Sequence, residues 1–109
     1  MDNSPLNKLQ QLMTITMEEC GELTQQCSKT MRKFESIEQA LEDNTRASVN
    51  RVKLIEEAGD VLCMIELMVE HGLLTNEELG ARVNVKREKL KTWSNLIVDE
   101  DETQNNNLD

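Results

Sequence analysis

The chain has 109 residues, one small domain's worth, with 12 basic and 21 acidic residues and a formal net charge of −9. Such a surface repels nucleic-acid polymers, and no apolar run reaches the roughly 18 residues that a membrane span needs. Met1 leads into a polar stretch rather than a signal peptide, and Cys20, Cys27 and Cys63 form no CxxC pair and leave an odd count. Together these features fit a cytoplasmic protein with reduced thiols better than a disulfide scaffold. A single His excludes a His-rich metal site, and with only Phe34 and Trp93 as aromatics the core must be aliphatic.

The first helix is predicted to start at Ser4-Pro5, a cap residue followed by Pro at the first helical position. Leu6, Leu9, Leu12, Met13, Thr16, Met17, Cys20, Leu23, Cys27, Met31 and Phe34 then recur every three or four residues, an amphipathic stripe of about eight turns. Cys20 and Cys27 read as small core hydrophobes on that stripe. Residues 35–47 form a polar connector with room for a short helix around Ile37–Leu41. A second long helix is predicted from about Ser48 to His71, with Gly72 as the left-handed residue that ends it. Its second half is apolar nearly all round. Val61, Ile65 and Met68 can face the first helix, whereas Met64 and Leu67 call for cover from a second subunit. A third helix starts at the Thr75/Glu78 capping box and runs to about Leu96, where Trp93 reads as core or interface.

Asp99, Glu100, Asp101, Glu102 and Asp109 fall in the last eleven residues, among several Asn. Residues 99–109 are therefore predicted to be a disordered acidic tail. The folded part, residues 1–98, retains 12 basic against 16 acidic residues, a net charge of −4. The expected fold is all-α. It comprises two long antiparallel helices and a third helix, assembling as a homodimer or homotetramer of four-helix-bundle type.

Carboxylates form the most informative pattern. Glu18, Glu19 and Glu22 make EExxE on the first long helix, and Glu56, Glu57 and Asp60 make EExxD on the second. At roughly 100° per residue, Glu19 and Glu22 point the same way about one turn apart, as do Glu57 and Asp60. Two helices packed about 8–10 Å apart can bring the pairs face to face. Four ionised carboxylates at that range need a cation, and hard divalent ions, Mg²⁺ first, prefer such oxygen ligands. From spacing alone, solvated helix faces are the commoner account, and for Glu56, Glu66 and Glu70 it is the better one, whereas Glu57 and Asp60 share a face with apolar Met64 and Leu67. A di-iron bundle is a rival metal reading that the sequence disfavours: it needs Glu-x-x-His, and Met68 stands three residues before His71.

The stretch Glu18-Glu19-Cys20-Gly21-Glu22-Leu23, then Ser28-Lys29 and Arg32, then Asn50, Leu54 and Glu56-Glu57-Ala58-Gly59-Asp60-Val61-Leu62, resembles the MazG-like family. That family belongs to the all-α nucleoside triphosphate pyrophosphohydrolases, with dimeric dUTPases and phosphoribosyl-ATP pyrophosphohydrolase among its relatives. The resemblance covers about residues 6–96; the chain departs from the pattern in the 34 residues between Glu22 and Glu57. It implies hydrolysis of a nucleotide, a dNTP foremost, between the α- and β-phosphates, with phosphoribosyl-ATP as an alternative substrate. It also implies Mg²⁺, with Mn²⁺ as a substitute, held by Glu19, Glu22, Glu57 and Asp60. Glu18 or Glu56 would accept the proton of water, Glu18 being favoured because it begins the first motif. Lys29, Arg32 and Lys86 would then contact phosphate, although snorkelling is the common behaviour of a Lys beside an apolar stripe. A non-catalytic helical interaction module is the rival from another class, but it gives no reason to line two helices with paired acids.

Overall fold

The computed structural model of the chain describes residues 5–42 and 46–98. Ser4, the connector's residues 43–45 and the tail 99–109 lie outside the described residues. Among the described residues all regular elements are α-helical: α1 (Lys8–Lys33), α2 (Ile37–Glu42), α3 (Arg46–Glu70) and α4 (Asn76–Trp93). No helix is long and apolar enough to cross a membrane among the described residues. The chain divides into two compact units, Met1–His71 and Gly72–Asp109.

Helix α1 starts three residues later than Pro5 suggests. Pro5 stands in a turn, and Asn7 is the cap. Asn7 Oδ1 accepts from the Gln10 amide at 2.8 Å, and Gln10 Oε1 accepts from the Asn7 amide at 3.0 Å. This reciprocal box satisfies two amides that a helix start otherwise leaves unpaired, which a Pro start alone does not do. The helix ends at Phe34, whose backbone is extended and whose ring is buried. The short α2 is capped by Ser36, whose hydroxyl oxygen accepts from the Gln39 amide at 3.0 Å. Gly72 closes α3 with a φ of 81°, a conformation that costs a side-chain-bearing residue energy. Helix α4 opens on the Thr75/Glu78 box, with both bonds at 3.1 Å. It stops at Trp93 rather than near Leu96, because Ser94 turns extended and both its amide and hydroxyl donate to the Leu90 carbonyl.

In the first unit α1 packs on α3, and α2 also touches α3. Along α1 a four-three alternation of covered residues runs through Leu12, Thr16, Glu19, Leu23, Gln26 and Thr30, with Gln11, Met13, Thr14 and Ile15 also partly covered near its start. On α3 the same alternation runs through Asn50, Leu54, Glu57, Val61, Met64 and Met68. This is the 3.5-residue repeat of a two-helix seam. It corrects two expectations. Met64 is buried at 7% exposure within the single chain and needs no second subunit, whereas Leu67 is half-buried and lines an open depression with Leu12 and Ile15. Conversely, Cys20 and Cys27 are exposed, together with Met17 and Met31. Half of the long apolar stripe of α1 thus faces outward, because a seam that advances every 3.5 residues covers only one narrow strip. Trp93 is also outward, at 82% exposure, and is not core.

Candidate metal centre

The seam brings together the paired acids. Glu19 and Glu22 of α1 and Glu57 and Asp60 of α3 each offer an oxygen, and the four oxygens lie within 4.8 Å of one another. Glu19 and Glu57 occupy seam positions and are half-buried; Glu22 and Asp60, three residues further along each helix, are exposed. The quartet therefore has an inner pair between the helices and an outer pair open to solvent.

Burial leaves the inner pair incomplete. Among the described residues, the buried side-chain atoms lacking any hydrogen-bond partner are Glu19 Oε2 and Glu57 Oε2. The Glu19 carboxyl is pushed above its ordinary value, first by desolvation and then by the charges of Glu22 and Asp60. Glu57 is raised likewise, by desolvation and then by Glu22, Asp60 and Glu56. The charges acting on both groups are other carboxylates, so among the described residues anions face one another.

The donor set suits a hard divalent ion. Six-coordinate Mg²⁺ holds oxygens at about 2.1 Å, which places opposite ligands about 4.2 Å apart, and Ca²⁺ tolerates somewhat more. The quartet's oxygens, within 4.8 Å of one another, lie close to that spacing. The two unpartnered oxygens are free to serve as ligands, and all four carboxylates fit such an ion chemically.

The remaining candidates lie around this centre or apart from it. Glu18 is exposed and outside the four-oxygen cluster. Glu56 is exposed and faces Lys53, with Nζ and Oε2 3.4 Å apart. Lys29 and Arg32 are exposed on α1, where with Gln25 and Ser28 they line a depression of about 330 Å³. By helical rise Lys29 stands about 10 Å beyond Glu22. Lys86 is exposed on α4, in the second unit.

Sequence reasoning missed a second polar layer in the same seam. Gln26 and Asn50 are buried at 6% and 4% exposure. Gln26 Nε2 donates to Asn50 Oδ1 at 3.1 Å, and Thr30 Oγ1 donates to the same oxygen at 2.9 Å. The available signal was spacing: Gln26 stands seven residues after Glu19, and Asn50 seven before Glu57. Comparison with known proteins finds no matching family model, no matching curated protein and no matching solved structure.

Proposed function

We propose that the chain is a Mg²⁺-dependent nucleoside triphosphate pyrophosphohydrolase that cleaves dNTPs between the α- and β-phosphates. The observation that carries this reading is the meeting of four carboxylates from two helices, two of them with buried oxygens that no protein donor reaches. Glu19, Glu22, Glu57 and Asp60 hold Mg²⁺, with Mn²⁺ as a substitute. When bound, the ion neutralises charge on phosphate oxygens and lowers the pKa of a water.

The chain's own side chains do the rest. Glu18 accepts the proton of the attacking water, since Glu56 is engaged by Lys53. The water oxygen bonds to the α-phosphorus, the bond to the bridging oxygen breaks, and pyrophosphate leaves with the electron pair. Lys29 and Arg32 neutralise the outgoing phosphates, Arg32 with a fork suited to two oxygens. The resemblance adds Lys86 to this cationic set. Glu19 and Glu57, held half-buried between helices, keep bulk water from the inner face of the centre.

The same reading includes antiparallel long helices and a homodimer or homotetramer in the cytoplasm. Met17, Met31, Val52, Ile55 and Leu62 are exposed on α1 and α3 and are the apolar side chains through which copies would meet. The test is pyrophosphate release from canonical and modified nucleotides and phosphoribosyl-ATP, with Mg²⁺ and with chelator. Release from dNTPs only with Mg²⁺ is expected. Release from phosphoribosyl-ATP alone would reassign the substrate. No release from any nucleotide, by a chain that binds Mg²⁺, would favour a non-catalytic helical module.

A further inference from the structure

The amide layer and the carboxylate layer share one repeat. Leu12, Glu19 and Gln26 are spaced by seven along α1, and Met64, Glu57 and Asn50 by seven along α3 in the reverse order. Leu12 and Met64 line one depression, Glu19 and Glu57 share the quartet, and Gln26 and Asn50 share a hydrogen bond. Each layer pairs like with like. A slip of one heptad, about 10 Å along the axis, breaks this matching. One direction sets Asn50 against Glu19 and Glu57 against apolar Leu12. The other sets Gln26 against Glu57 and Glu19 against apolar Met64. Apolar layers alone discriminate poorly between such registers, whereas a buried amide pair selects the one in which it is satisfied.

We infer that Gln26, Thr30 and Asn50 are positioning residues that set the register of α1 on α3 and thereby assemble the cation-binding quartet. Asn50 is the pivot, because its Oδ1 accepts from both Gln26 and Thr30 of the opposite helix. The single Thr30 hydroxyl hydrogen is shared between Asn50 Oδ1 and the Gln26 carbonyl of its own helix, each 2.9 Å away, which ties the pivot to the α1 backbone. Their side-chain hydrogen bonds run among themselves and to the α1 backbone rather than to the quartet, and they act through the helices, Gln26 and Asn50 standing seven residues from Glu19 and Glu57 respectively. This inference rests on the quartet's being a cation site.

The experiment compares Mn²⁺ binding and thermal unfolding of the full chain in three forms. These are the wild type, the double variant Gln26→Leu with Asn50→Leu, and Thr30→Val. The leucine pair restores an apolar seam without the amides, so its helix content and melting temperature are expected to equal or exceed the wild type's. Its Mn²⁺ affinity is nevertheless expected to fall at least about tenfold, as supporting residues around metal ligands typically show. Thr30→Val, which keeps shape and loses one hydroxyl, should fold normally and bind Mn²⁺ about two- to fivefold more weakly. A purely structural layer would change melting without changing affinity. Wild-type affinity in a folded leucine pair would overturn the inference; if that pair fails to fold, wild-type affinity in Thr30→Val overturns it instead. Absence of Mn²⁺ binding by the wild type would overturn the cation reading itself, a different result.

Discussion

Two polar layers lie one heptad apart in the seam between α1 and α3, and they are built to opposite rules. In the layer of Gln26, Thr30 and Asn50, buried polar atoms meet donors and acceptors of the facing helix. In the layer of Glu19 and Glu57, buried oxygens meet none, and the neighbours are further carboxylates. Burying an unpaired polar group costs stability, and burying like charges costs more. The amide layer is complete as folded. The carboxylate layer is complete only with protons or a cation, and that difference is the physical basis for assigning function to the second and architecture to the first.

The sharpest way to break the comparison is to neutralise one carboxylate. Glu57→Gln, Glu19→Gln or Asp60→Asn should lower pyrophosphate release on the order of 100-fold or more, because a ligand is lost where even outer contacts matter tenfold. Helix content by circular dichroism should not change. Without divalent ions each variant should melt higher than the wild type, since like-charge repulsion is relieved. Undiminished turnover in all three would remove the quartet from the chemistry.

The opposite manipulation injures the complete layer. Asn50→Ala strands the Gln26 amide in the seam and should cost about 1–3 kcal/mol, read as a lower denaturation midpoint. That loss should be similar at pH 5 and pH 8, because an amide does not titrate. A neutral effect would mean that the seam repacks around the gap.

Acid separates the two layers further. The folded-state values of Glu19 and Glu57 are raised above their ordinary 4.5, so their protonated forms are favoured by folding. Their contribution to stability is fully present below pH 4.5 and is lost as pH rises through the raised values. The metal-free chain should therefore melt lower at pH 7 than this pair alone would give at pH 4.5. The combined variant Glu19→Gln with Glu57→Gln should flatten that part of the profile. Protons and cation compete for the same oxygens, so Mn²⁺ affinity should fall as pH drops through the same window.

The smallest effect on the single chain is expected at the outer face of α3. Leu62 is exposed and α-helical, so Leu62→Lys should leave helix content intact and shift the unfolding midpoint by no more than about 0.5 kcal/mol. Sedimentation should nevertheless show weaker self-association, if this face is where copies meet. An unchanged sedimentation coefficient at high concentration would locate any contact elsewhere.

The helices, the Thr75 capping box and the Gly72 stop were legible because each rests on local chemistry a few residues long. The quartet was legible because EExxE and EExxD place acids on one face by helical geometry alone. The inner seam was not. Leu12, Met17, Cys20 and Met31 all satisfy a three-four apolar spacing, yet only Leu12 among them is buried. A stripe on one helix spans more angle than one partner can cover, and which strip is covered depends on the opposite helix. Gln26 and Asn50 stayed hidden for a related reason: an isolated amide on a helix reads as solvated, and only its partner across the seam reveals it as core.

The most direct measurement is a calorimetric titration of the metal-free full chain with Mn²⁺ at neutral pH, run beside Glu57→Gln. A cation-binding quartet gives saturable binding by the wild type, proton release on binding, and loss of that site in the variant. Equal heats from the two proteins, or none from the wild type, would contradict a cation site between α1 and α3.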